Sequence, residues 1–284
     1  MKNLILSFFV LLISCNKEDI TKQISVESKI VVEGSIEEGG FAKVLLSRSV
    51  PIGVAVDSTT ILNYVIRSAK VTVSDGEKEE VLRLKRDNNT IPPFVYFGNE
   101  IMGETGKTYS LKIKYLNRTI TAKTTIPLSV PILSADYIKD NPTDKKGNIL
   151  IKFNDPINEK NFYQVQTLLI KKDLIYIPAI YGNLNDANFV DPAISFQILR
   201  GKTFSFEDYS DYKPYFEDGD VISVKLRTMN KAGFNFWNDW QNEIINGQSP
   251  IFPNTTSLRS NIEGGIGIWE GYGQKTILVN TPYY

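Results

Sequence analysis

Between Glu207 and Asp220 the chain crowds Glu207, Asp208, Asp211, Glu217, Asp218 and Asp220 among Tyr209, Tyr212, Tyr215 and Phe216. Carboxylates this dense suggest three chemistries. Converging oxygens could hold calcium, and two carboxyls at a set separation could hydrolyse a glycosidic bond. Acids interleaved with exposed tyrosines could instead grip a partner or a glycan. The spacing lacks the glycine and terminal glutamate of an EF-hand loop, so the stretch reads as a solvated loop whose Asp208, Tyr209, Asp211, Tyr212 and Tyr215 are a candidate partner surface. A second candidate is aromatic. Phe234, Trp237, Gln241 and Ile244 recur at helical spacing, which predicts a helix over 234–245 ended by Asn246-Gly247. Trp237 and Trp240 fall on nearly one side of it, placed to pin the helix to a sheet or, if exposed, to stack on a sugar or dock a protein.

What is missing narrows the chemistry further. The chain contains no histidine, the usual base near neutral pH and the commonest metal ligand. Ser-His-Asp and Cys-His catalysis and the histidine-bearing zinc motifs are thereby excluded. A carboxylate-only glycan-active enzyme survives as an alternative, while the main expectation is a protein without catalytic function, cofactor or metal. Lysine plus arginine balances aspartate plus glutamate at 32 each, which gives no footprint for nucleic acid. Gly106-Lys107-Thr108 is no phosphate loop: a Walker glycine would have to stand where Ile101 does, and a strand pattern rather than a helix follows.

The one thiol, Cys15, stands at an informative place. Lys2, then an almost wholly apolar run from Leu4 to Ile13, then Ser14 read as a secretory signal peptide over residues 1–14. That run is too short to cross a bilayer, which takes about 20 apolar residues. Leu12-Ile13-Ser14-Cys15 resembles the bacterial lipobox, in which the thiol receives a diacylglycerol and becomes the new N-terminus. Acyl chains at Cys15 would hold the protein on a membrane without a spanning helix. The polar residues from Asn16 to Glu27 then form a tether, and Lys17-Glu18-Asp19 is similar to the signal that sends lipoproteins to the outer cell surface.

The elements behind these candidates alternate like strands. Tyr109, Leu111, Ile113 and Tyr115 oppose Lys112 and Lys114, and Asn117-Arg118 turns that strand into Thr119–Thr125. Similar strands are expected over 29–33, 42–47, 69–74 and 81–85. The class is all-β: an immunoglobulin-like or transthyretin-like sandwich over 28–127, then, past Pro127 and Pro131, a β-rich domain over 132–284 with one short helix. In the second domain, strands are expected over 132–137, 148–154, 162–170 and 221–229, with Ile222, Val224 and Leu226 inward and Lys225 and Arg227 outward. Residues 183–191 read as a long loop. The glycines from Gly264 to Gly273 read as a bulged strand or tight crossover where backbones pass closely.

Lys29-Ile30-Val31-Val32-Glu33-Gly34 and Val44-Leu45-Leu46-Ser47-Arg48-Ser49 resemble the opening of a domain of unknown function found in Bacteroidota lipoproteins. The turn Gly103–Tyr109, the segment Pro250-Ile251-Phe252-Pro253, the run Ser260–Gly267, Trp269 and Gly271-Tyr272-Gly273 continue the likeness in order to the C-terminus. Members tend to be encoded beside TonB-dependent outer-membrane transporters that carry a carboxypeptidase-regulatory-like domain. The resemblance therefore implies a surface-exposed, lipid-anchored accessory protein that captures or presents cargo for such a transporter. It transfers no catalytic residue. A structural or adhesive surface lipoprotein is the alternative from another class.

Overall fold

The computed structural model describes residues 28–50, 54, 57–157, 159–202, 212–246 and 258–283. The leader, Cys15, the tether and the Pro250–Pro253 segment lie outside these residues. The first half supplies β1 (Ile30–Glu37), β2 (Phe41–Arg48), β3 (Lys70–Ser74), β4 (Glu79–Val81), β5 (Arg83–Arg86), β6 (Phe94–Met102), β7 (Thr108–Tyr115) and β8 (Arg118–Thr125). The second supplies β9 (Ile132–Ile138), β10 (Lys146–Asn154), β11 (Phe162–Leu169), β12 (Ile177–Asn185), β13 (Ala193–Ile198), β14 (Phe216–Glu217) and β15 (Val221–Met229). Helix α1 (Lys231–Asn246) and the long β16 (Ile266–Asn280) complete an all-β fold with one α-helix.

One sheet organises the molecule. Its eight strands run β12-β11-β15-β16-β1-β2-β6-β5, so β16 joins the two halves. It pairs parallel with β1, Trp269 opposite Gly34, and antiparallel with β15, Val279 opposite Ile222. Successive side chains on a strand take opposite faces. On β16, Trp269 faces the first core while Ile277 and Val279 face the second, all from one side of the sheet. The sheet β4-β3-β7-β8 closes the first core over that side, and the strands around β10 close the second. Two sandwiches thus share one sheet. Two hydrophobic cores form, and residues after Pro131 do not build the second alone, because Ile262 and Trp269 complete the first.

The glycines of β16 are needed for this joint. Gly267 has φ +121, and a Cβ there would stand 1.9 Å from the carbonyl oxygen of Val32 on β1. No side chain fits at that approach. Just upstream, Asn261 acts as a surrogate strand: its Oδ1 accepts from the Trp269 amide at 2.9 Å and its Nδ2 donates to the Trp269 carbonyl at 2.7 Å. Asn261→Ala should leave both backbone groups without these partners and cost about 2 kcal/mol in chemical denaturation. A loss within a few tenths would show that the strand holds itself.

Several expected elements change on folding. The strand expected over 81–85 is split, with β4 in one sheet and β5 at the edge of the other, and Leu82 between them enters the core. The loop expected to begin at Asn183 starts later, because Asn183–Asn185 still pair with β11 and a short 3-10 turn, Asp186–Asn188, follows. Helix α1 begins three residues before Phe234, at Lys231.

Candidate functional site

The side of the shared sheet away from both cores carries the polar chemistry. On it lie Glu33, Ser35 and Glu37 of β1, Glu270, Tyr272 and Gln274 of β16, Lys225 and Arg227 of β15, and Gln164 and Gln166 of β11, in register across the strands. Helix α1 crosses one end of this side. Its Phe234 and Trp237 pack against Phe162, Met229 and Tyr272, and the Trp237 indole donates to the Tyr272 hydroxyl at 2.7 Å.

At the centre Glu37 bridges two cations. It is 3.2 Å from the Lys225 ammonium and in closer contact with the Arg227 guanidinium, with side chains 22%, 9% and 13% exposed. Burial pushes the Glu37 carboxyl up, but Arg227 and Lys225 outweigh it and hold the group down at about 2. The Arg227 guanidinium sits 4.3 Å from the Tyr272 ring centre and the Lys225 ammonium 4.1 Å from that of Tyr176. Burial, then Arg227, lower the Lys225 ammonium's affinity for its proton, and Lys43 adds repulsion.

A ladder of amides extends from this triad. Arg227 and Gln166 both donate to Gln164 Oε1, at 3.4 and 3.1 Å. Gln164 Nε2 donates to Asn183 at 3.1 Å, and Asn183 Nδ2 to Gln241 of α1 at 3.3 Å. Gln164 and Gln166 are buried, and Gln166 Oε1 and Arg227 Nε lack a partner. Buried polar atoms of this kind suit a water or a polar ligand.

The residues singled out from sequence do not form one surface. Asp208, Tyr209 and Asp211 lie outside the described residues, as does Cys15. Tyr212 is half-buried; its hydroxyl donates to the Arg200 carbonyl, and burial pushes it up to about 12. Tyr215 is half-buried beneath the Lys146 ammonium at 4.8 Å, beside the sheet around β10. Asp218 and Asp220 are held by Lys139 and Lys172. Trp237 and Trp240 lie on α1, edge to face at 5.5 Å, both half-buried. Tyr212 and Tyr215 therefore belong to the opposite side of the second sandwich from Trp237 and Trp240.

A hollow of about 450 Å³ between the ends of β10 and β12 is lined by Asp155, Asp186 and Asp191. These three aspartates are engaged: Asp155 accepts from the Tyr163 hydroxyl, Asp186 from the Asn161 amide and Asp191 from the Ala193 amide. They fix loops. Sequence reading missed the Glu37 triad altogether, and Lys225 and Arg227, expected outward in water, are largely covered. The available signal was Gln164 and Gln166 alternating with Tyr163, Val165 and Thr167, a polar row that a purely solvent-facing strand does not need.

Two sandwiches hung on one sheet, with a charged and aromatic reverse side, define an all-β protein. The chain belongs to the family described as "Domain of unknown function (DUF4249)", whose model matches residues 17–277. No curated protein matches it. Among solved structures, a two fibronectin type-III domain segment from chicken tenascin aligns at 8% identity over 90% of this chain and 100% of its own, with a TM-score of 0.25. At that score the likeness carries no argument, and the fold class rests on the strands themselves.

Proposed function

We propose that this chain is a non-catalytic, lipid-anchored binding protein of the outer membrane, facing the cell exterior and working beside a TonB-dependent transporter. The observation that carries the binding role is the reverse side of the shared sheet, where cations, amides and aromatic rings lie in register and α1 packs over one end. The lipobox-like Leu12-Ile13-Ser14-Cys15 and the acidic tether after it support the anchor and its outward placement. The resemblance to lipoproteins encoded beside TonB-dependent transporters supports the transporter as partner. Binding through a rigid face needs no histidine, metal or cofactor.

The test is a mild-detergent pull-down of the tagged protein from its native membrane, beside a Cys15→Ser variant. The wild type should stay in the membrane fraction and recover a transporter at near-equal amount, and the variant should leave the membrane. A variant that stays membrane-bound would overturn the anchor. Wild type recovered alone under several detergents would overturn the transporter role and favour an adhesive surface protein.

A further inference from the structure

The half of the reverse side that lies away from α1 carries a cation pattern that the triad does not use. Lys43 on β2, Phe97 on β6 and Arg83 on β5 are register partners in one row, and Lys85 shares that side two residues on. The Lys85 and Lys43 ammonium groups stand 4.5 and 5.8 Å from the Phe97 ring centre, with Phe41 edge-on to the same ring at 6.2 Å. Lys43, Arg83 and Lys85 are exposed, and among the described residues none has a carboxylate within ion-pair distance. Glu37 is already committed to Lys225 and Arg227. Glu33 is the next carboxylate on that side of β1, two register pairs from Lys43. In a chain whose formal charges sum to zero, this row carries three exposed cations, with Glu100 an exposed carboxylate further along β6.

Charge on an edge strand has a ready explanation, since basic residues keep edges from pairing with other chains. That accounts for Arg83 and Lys85 on β5. It does not account for Lys43, two strands in from the edge, where no backbone is open. With strands about 4.8 Å apart, Arg83 and Lys43 are separated by roughly 10 Å across the row. An anionic chain lying across the strands would meet these charges in turn.

We propose that this row binds a carboxylate-bearing polysaccharide, a chain of uronic-acid-type sugars, with Lys43, Lys85 and Arg83 pairing its carboxylates and Phe97 stacking on a ring. A peptide crossing a sheet face gains none of the backbone bonds available at a sheet edge. Hydroxylated, carboxylated rings need none, and they use the aromatic and the cations together. This names the ligand class for the binding face proposed above but does not depend on the anchor or the transporter.

The test therefore uses the mature chain carrying Cys15→Ser, unlipidated, in affinity electrophoresis through gels containing polygalacturonate, dextran or polyglutamate. Polygalacturonate should retard it, less so as salt rises, and dextran should not. Lys43→Ala with Lys85→Ala should weaken retardation about tenfold, with melting unchanged. Lys112→Ala with Lys114→Ala, which removes the same charge from the opposite sheet, should leave it intact. Four results would each overturn the assignment: no retardation by polygalacturonate, equal retardation by dextran, undiminished binding by the Lys43/Lys85 variant, or equal loss in the Lys112/Lys114 control. Equal or stronger retardation by polyglutamate would also overturn it, in favour of an acidic peptide.

Discussion

Trp269→Ala should lower the unfolding free energy by about 4 kcal/mol, the usual cost of emptying a buried tryptophan site. The side chain is fully buried, and its indole nitrogen donates to the Tyr109 carbonyl at 3.0 Å, tying β16 to the opposite sheet. Gly34 is part of the same fit: a Cβ there would come within 2.8 Å of the ring. Truncation removes the ring and leaves the Tyr109 carbonyl buried without that donor, which adds to the loss. Domains commonly have only about 5–15 kcal/mol in total. The loss should also spread. Because β16 lies in both sandwiches, urea denaturation followed by circular dichroism should show one transition at a lower midpoint for the whole chain. A loss under about 1 kcal/mol, or a second sandwich that unfolds at its old midpoint, would refute the shared-sheet account of stability.

The same strand marks where sequence reading succeeds and where it stops. β7 was legible because Tyr109, Leu111 and Ile113 are covered and Lys112 and Lys114 are wet, so burial alternates with period two. From Gly267 to Gly273, β16 is buried on both sides, by cores on one and by α1 and the polar row on the other. A strand covered twice does not alternate, and its glycines read as punctuation. Its pairing with β1 joins residues at opposite ends of the chain, which no local pattern records. The triad is hidden for the same reason: Glu37 meets Lys225 and Arg227 across 188 and 190 positions. α1 was legible in its aromatic spacing. Its first turn was not, because a buried carboxylate on β16 holds it in place.

That carboxylate, Glu270, gives the second large effect, one of pH. Its Oε1 accepts from the Asn230 backbone amide at 2.8 Å and from Asn230 Nδ2 at 2.7 Å, and Gly233 in the first turn of α1 packs on it, where a Cβ would stand 2.8 Å from its Cδ. Asn230 Nδ2 also reaches the Thr125 carbonyl of β8. Among the described residues no cation pairs with Glu270, and the Gly233 amide adds a donor to its carboxylate. Burial pushes the group up to about 8 from an ordinary 4.5, against the opposing pull of the Asn230 donors. The folded chain therefore keeps this proton between those values while the unfolded chain has released it. The contribution is complete below pH 4.5 and falls as pH rises through 8, by about 5 kcal/mol at most. Glu37 works in the opposite direction. Held at about 2, it stabilises the fold above its ordinary 4.5, and that stability is lost as pH falls through 2. Denaturation midpoints measured from pH 3 to 9 should thus peak in weak acid and decline on both sides. Glu270→Gln keeps an oxygen for the Asn230 donors but cannot ionise, so it should flatten the alkaline decline and leave the acid limb in place. Parallel curves for variant and wild type above pH 5 would show that Glu270 ionises no differently in the folded and unfolded chain, and that the seat of α1 carries no buried proton.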